Sequence, residues 1–306
     1  TFYFLRWNGI PGDSAYKAWV VRFFLYTTLI TPLFLLQSVR RRTWLILFAV
    51  LVYVQWECIH EFLAKTGGLP LYRDDHPSFM YRLWVFSRVF PRLVYYDPNW
   101  NGGVVATYLI SSGVTAIGVL LWPVWRWLPI ETAYTPALAF LFMVLIPLVS
   151  VAAVRAVRGS WTAAFAAGAM AVLVNRLYLL WLLHFGTLGC CFSLAFSGLV
   201  AALVYRIAAE GDTRPRVIAA LVMAAYCYLV WPPAGIFSLG MLPAFLATAR
   251  GWNRRVWTAL LAAGAATLLL LLPNAAGVLA HVDVGHYVGT GQRHICLLYT
   301  SPSPRD

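Results

Sequence analysis

Apolar residues in this chain run together rather than alternating with polar ones. Stretches at about 18–37, 43–56, 104–125, 135–153, 161–183, 187–205, 217–231, 233–249 and 256–279 are nearly free of charge. Most approach the roughly 20 residues with which a helix crosses a hydrocarbon core of about 30 Å. Lipid offers no partner to a backbone N–H or C=O, so such segments must be helices or strands of a closed barrel. The two-residue alternation of barrel strands is missing, which leaves helices. The pattern predicts an all-α polytopic transmembrane bundle of about nine spans, a single domain over residues 1–295.

One long polar interval, 57–103, interrupts the pattern. Its second half reads LYRDDHPSFMYRLWVFSRVFPRLVYYDPNWNGG. Phe79, Leu83, Phe86 and Phe90 fall at i, i+4, i+7 and i+11, one face of a helix, with Arg82, Arg88 and Arg92 off that face. This spacing predicts an amphipathic helix lying in the membrane interface, within a loop facing outward. Asp97 to Gly103 follows as a tight turn rich in Pro, Asn and Gly.

Composition agrees with the pattern. Of 306 residues 61% are hydrophobic and 11% charged, against roughly 25% charged in a soluble domain. The net charge of +12 would suggest nucleic acid in a soluble protein. Here the arginines flank apolar stretches, and no nucleic-acid motif accompanies them. Lys/Arg bias assigns the Arg40–Arg42, Arg206–Arg216 and Arg250–Arg255 loops to the cytoplasmic side. The interval 57–103 and the Trp231-Pro232-Pro233 turn then face outward. One conflict remains: two full crossings between 104 and 153 would put Arg155 and Arg158 outside. A break at Pro123, Pro136 or Pro147 would remove it.

Cys58, Cys190, Cys191 and Cys227 lie in apolar runs without a CxxC pair and read as packing residues. Residues 296–306, CLLYTSPSPRD, match the translation of a sequencing adapter and are set aside. We expect the natural chain to extend past both ends. Arginine dominates lysine, which occurs only at Lys17 and Lys65, as in a GC-rich bacterium.

The candidate chemistry sits in the long loop. Asp74 and Asp75 are adjacent and precede His76. Such a carboxylate pair can hold a divalent cation, Mg2+ or Mn2+, through oxygen ligands. It can equally act as a general base, or simply cap the helix that follows. The loop arginines suit forked hydrogen bonds to a phosphate, whether of a substrate or of bulk lipid. Asp97 reads as a turn residue or a further acidic ligand. Asn175 and Arg176 interrupt an apolar run, where an ionisable group marks a functional site or the end of a span. His60 and Glu61 read as ligands beside the Asp pair or as interfacial caps, and His281 and His286 with Asp283 form a weaker metal candidate. No HExxH, Walker A or strand-borne GxGxxG motif occurs.

These motifs resemble the GT-C superfamily of polytopic glycosyltransferases. More narrowly, they are similar to bacterial membrane proteins labelled as related to 6-pyruvoyl-tetrahydropterin synthase. The resemblance rests on Asp75-His76-Pro77 through Trp84, on Pro98-Asn99-Trp100-Asn101-Gly102-Gly103, and on the HFGTLG turn from His184 to Gly189, and covers about residues 43–245. It departs from the pattern at Val104–Tyr108, where many relatives carry Tyr-Pro-Pro. The resemblance implies sugar transfer from a polyprenyl-phosphate donor at the outer face of a bacterial plasma membrane, with Asp75 or Asp74 as base or metal ligand. It implies substrate contacts from Arg73, His76, Arg82, Trp100, Asn101, Arg176 and His184. A transporter or flippase and a non-catalytic scaffold stand as alternatives.

Overall fold

A computed structural model describes residues 75–90, 96–97, 104–105, 113–171, 186–240 and 252–288, with single residues between 43 and 60 and at 182 and 245. At 96–97, 104–105 and 274–288 it describes the backbone alone. Arg73, Asp74, Trp100, Asn101, Arg176 and His184 lie outside the described residues, as do the first apolar stretch and the tail from 296.

The elements are helical apart from one short strand pair. In chain order they are α1 (His76–Val89), β1 (Tyr96–Asp97), β2 (Val104–Val105), α2 (Val114–Leu120), α3 (Trp122–Trp127) and α4 (Ile130–Ala156). Then follow α5 (Trp161–Ala171), α6 (Leu188–Ala195), α7 (Ser197–Glu210), α8 (Pro215–Leu229), α9 (Pro233–Leu239) and α10 (Arg254–Val288). The described residues between Thr43 and His60 are helical as well.

Among the described residues three helices are long and apolar enough to cross a membrane: Ile130–Ala156, Leu188–Glu210 (α6 and α7 through Phe196) and Arg254–Pro273. A fourth is added if α8 and α9, bent by 116° at Trp231-Pro232, form one broken span. On α10, Leu261, Leu268, Leu269 and Leu272 are all more than half exposed. A water-soluble surface rarely carries so long an apolar stripe, whereas a lipid-facing one does.

The described residues of the apolar stretch at 104–125 do not form one continuous helix. It begins in β2, turns at Gly113, and breaks into two short helices at Leu121. Pro123 occupies the first turn of α3, where its missing N–H costs nothing. Pro136 and Pro147, by contrast, lie inside a continuous α4. Proline is tolerated in membrane helices where neighbouring elements satisfy the freed carbonyl groups.

Two ends of the bundle can be told apart. Tyr134, near the start of α4, meets His76 of α1. Arg155, near the end of α4, lies beside the last turns of α7, since Arg206 of α7 reaches the carbonyl of neighbouring Ala156. At 1.5 Å per residue these ends are about 30 Å apart. α1, α2, α3 and Gly186 belong to the first end. Arg158, Arg206–Arg214 and Arg255 belong to the second, where all but Arg206 border one cavity. α1 and the start of α4 thus stand at the same end, so the chain between them makes no net crossing, and all these arginines share a side. The conflict over Arg155 and Arg158 disappears.

The core joins the two ends. α7 packs against α4 and α8, and α8 against α10. Leu138, Phe142, Leu188, Phe192, Ile207 and Val230 are fully buried between them.

Candidate functional site

α1 forms where the spacing of its apolar residues places it. Asp75 is its N-cap and Pro77 sits in its first turn, where a fixed φ favours initiation. It stops at Phe90, whose extended backbone (φ −53°, ψ 134°) is the conformation imposed on a residue before proline, here Pro91. Phe79, Leu83 and Phe86 are buried as the periodicity requires. They face α2, α3 and α4 rather than lipid. Phe90 continues the stripe against the Trp122 ring, 5.7 Å between centroids. α1 is thus a roof helix bound to the bundle by its apolar face. Trp84 and Arg88 remain exposed on the opposite side, with the Arg88 guanidinium 5.5 Å from the Trp84 ring centre.

His76, the first residue of α1, is 3% exposed. Its Nδ1 lies 3.1 Å from the Tyr134 hydroxyl, and the two rings meet edge to face. Tyr134 is fully buried. A buried phenol and a buried imidazole each need a partner, and here they supply one to each other. His76 therefore orients the start of α1 from inside the protein.

The HFGTLG turn arrives at the same point. Gly186 has φ +71°, and a Cβ there would stand 2.7 Å from the His76 backbone nitrogen and 2.9 Å from its Cγ. Only glycine combines that left-handed conformation with so close an approach. Three residues on, Gly189 lies beneath Gly113, where a Cβ on Gly113 would reach the Gly189 Cα at 2.8 Å. Two segments linked only by resemblance in the sequence meet where Gly186 approaches His76.

Asp75 is exposed. Its carbonyl accepts the Phe79 N–H at 2.9 Å, but its carboxylate makes no capping hydrogen bond. The acidic group is thus not engaged in starting the helix. Arg82 is half-buried, with its guanidinium 4.9 Å from the centre of the Phe79 ring. Asp97 pairs through its backbone with Val104, and Tyr96 with Val105, in an antiparallel ladder; the turn expected at 98–103 lies outside the described residues.

Among the described residues no three His, Cys, Asp or Glu side chains come together as metal ligands. Asp75 offers carboxylate oxygens of the kind a hard cation takes, while His76 is turned inward to Tyr134. The cysteines of the α6 and α8 segments are free thiols.

Tyr134 is the residue that sequence reasoning missed. It sits in an apolar stretch, 58 positions from its partner, and nothing local marks it.

No protein family, no curated protein and no solved structure matches this chain.

Proposed function

We propose that this chain is a membrane glycosyltransferase of the GT-C type. It moves a sugar from a polyprenyl-phosphate donor to an acceptor at the outer face of a bacterial plasma membrane. The observation that carries this reading is the exposed Asp75 carboxylate, which makes no capping hydrogen bond, next to the point where Gly186 approaches His76. Placement of the arginine end on the cytoplasmic side puts this point outside.

In this mechanism the acceptor hydroxyl gives its proton to Asp75 as its oxygen attacks the anomeric carbon. The bond from that carbon to the donor phosphate breaks, and its electron pair leaves on polyprenyl phosphate. The cation-like sugar at the transition state favours a nearby carboxylate. His76 and Tyr134 hold the start of α1, and so Asp75, in place. Arg82, with Arg73 and Arg176, serves the lipid phosphate, and Trp100, Asn101 and His184 the sugar and acceptor. Asp74 and Asp75 together would alternatively hold Mg2+ or Mn2+, which would neutralise phosphate charge.

A second reading, a transporter or flippase, is favoured by the broken segments at 114–127 and 215–239, since transporters build sites from discontinuous helices.

The test is sugar transfer in proteoliposomes supplied with polyprenyl-phosphate sugars, for the wild type and Asp75→Asn. Asp75 makes no side-chain hydrogen bond in the cap, so the variant should keep its stability within about 0.5 kcal/mol. Transfer should fall by about 100-fold or more. Transfer equal to wild type removes Asp75 from the mechanism. Flux of the donor across the bilayer without transfer replaces the enzyme reading with the transporter.

A further inference from the structure

We infer that the arginine end of the bundle carries a phosphate-binding site, separate from the Asp75 region and independent of the function proposed there. Three segments distant in sequence meet there: the end of α4, the α7–α8 loop and the start of α10. They line an open cavity of about 280 Å³ formed by Arg158, Glu210, Gly211, Asp212, Thr213, Arg214 and Arg255.

The arginines are held, not merely gathered. Asp212, 8% exposed, accepts Arg206 Nε at 2.7 Å and Arg214 Nε at 2.7 Å on its two oxygens. A second Arg214 nitrogen, Nη2, reaches Oδ2 at 2.5 Å. Arg206 also donates to the carbonyl of Ala156, which fastens the α7–α8 loop to the end of α4. Arg158 pairs with Glu210 at 2.8 Å while its side chain stays 63% exposed. Both carboxylates thus serve as anchors that fix guanidinium groups around the cavity. Arg255 is exposed and has no ion pair among the described residues.

The backbone at Arg158 points the same way. α4 ends with the Gly159 N–H donating to the Val154 carbonyl at 2.9 Å, and Arg158 occupies the left-handed position at φ 59°. Glycine usually takes that position, and here it stands one residue later. An arginine that accepts this conformation is unusual among side chains. Its effect is to place a third guanidinium at the cavity.

The chemistry selects the ligand class. Seven arginines (155, 158, 206, 214, 216, 254 and 255) stand at this end against Glu210 and Asp212. Planar guanidinium forks match phosphate oxygens in pairs. The cavity is at the small end for a drug-sized molecule and ample for a phosphate headgroup. It opens at the termini of α4, α7 and α10, the level at which lipid headgroups stand. An anionic phospholipid is therefore the favoured source of the phosphate, and free phosphate is the other.

The experiment uses the full chain in nanodiscs of phosphatidylcholine, with or without phosphatidylglycerol, and counts retained lipids by native mass spectrometry. Inorganic phosphate is titrated separately into the phosphatidylcholine discs. Arg255→Gln should weaken retention of phosphatidylglycerol about tenfold, as for loss of one charge-assisted hydrogen bond. Arg255→Lys should fall between that variant and wild type. Arg216→Gln removes the same charge from the same end without lining the cavity, and should change retention less than about twofold by the same reasoning. Phosphate binding lost in Arg255→Gln, without lipid preference, keeps the site and assigns it a soluble ligand. Equal losses in Arg216→Gln and Arg255→Gln would mean diffuse charge rather than a site, and overturn the proposal. No preference for either anion in the wild type overturns it as well.

Discussion

Replacing Gly186 with alanine adds one methyl group at the most crowded point of the His76 end. The backbone there is left-handed, φ +71°, a conformation that costs an L-residue with a Cβ about 1–2 kcal/mol. The methyl would also meet the His76 backbone nitrogen at 2.7 Å and its Cα at 3.0 Å. These are main-chain atoms, which cannot swing away as the tip of a side chain does. Forcing a carbon into a packed site adds about 1–3 kcal/mol. The expected loss is about 2–5 kcal/mol, a large part of the 5–15 kcal/mol that holds a typical domain. Gly198→Ala is the matching control. That glycine lies in α7 with no atom within 4 Å of where the new methyl would stand, and with no positive φ, so alanine should stabilise by up to about 1 kcal/mol. Thermal unfolding of both purified variants in detergent decides the matter. Gly186→Ala should melt at least about 5 °C below wild type, and Gly198→Ala at or above it. If Gly186→Ala melts with the wild type, the contact between the HFGTLG turn and the start of α1 is wrong.

Other expectations follow from single contacts. Tyr134→Phe removes a hydrogen bond to buried His76 and should cost about 1–3 kcal/mol in the same melting assay; an unchanged melting point would show that His76 does not depend on it. Asp212→Asn leaves Arg206 and Arg214 without their shared carboxylate and should destabilise by about 1–3 kcal/mol, measured by chemical unfolding. The Arg214 hydrogen bonds hold the Asp212 carboxyl below its usual range, with Arg206 adding to the effect. Its contribution is therefore full above the unfolded value of about 3.9 and is lost only as pH falls below it. Wild-type stability from this group should be flat from about pH 5 to 8, by the same linkage, and a pH series of melting points that dropped with Asp212 between those limits would contradict the arrangement. Arg158→Gly relieves about 1 kcal/mol of left-handed backbone cost and loses a largely exposed ion pair worth no more than that. It should leave the melting point nearly unchanged while weakening phosphate binding at the cavity.

Composition alone places the chain in a membrane, because so apolar a chain has too few polar residues to cover a surface facing water. The sequence determined α1 as well, since Phe79, Leu83 and Phe86 lie on one helical face whatever that face meets. What that face meets was decided by the tertiary structure: α2, α3 and α4 cover it, and lipid does not. Tertiary structure also decided the fate of 104–125. Hydropathy counts residues but carries no information on direction, so a stretch broken into short helices, as at Leu121, resembles one that crosses. The prolines illustrate the same limit, because Pro123 starts a short helix whereas Pro136 and Pro147 sit within a continuous one, and only the neighbours of each decide which. The arginine loops were legible as one side of the membrane, since charge is a local property. Their convergence was not, because Arg206 reaches Ala156, and Arg255 borders one cavity with Arg158 and Arg214, only when α4, α7 and α10 pack. Tyr134 is the clearest case: its role comes entirely from a partner 58 positions away, and a contact at that separation is made by the fold and by nothing in the local sequence.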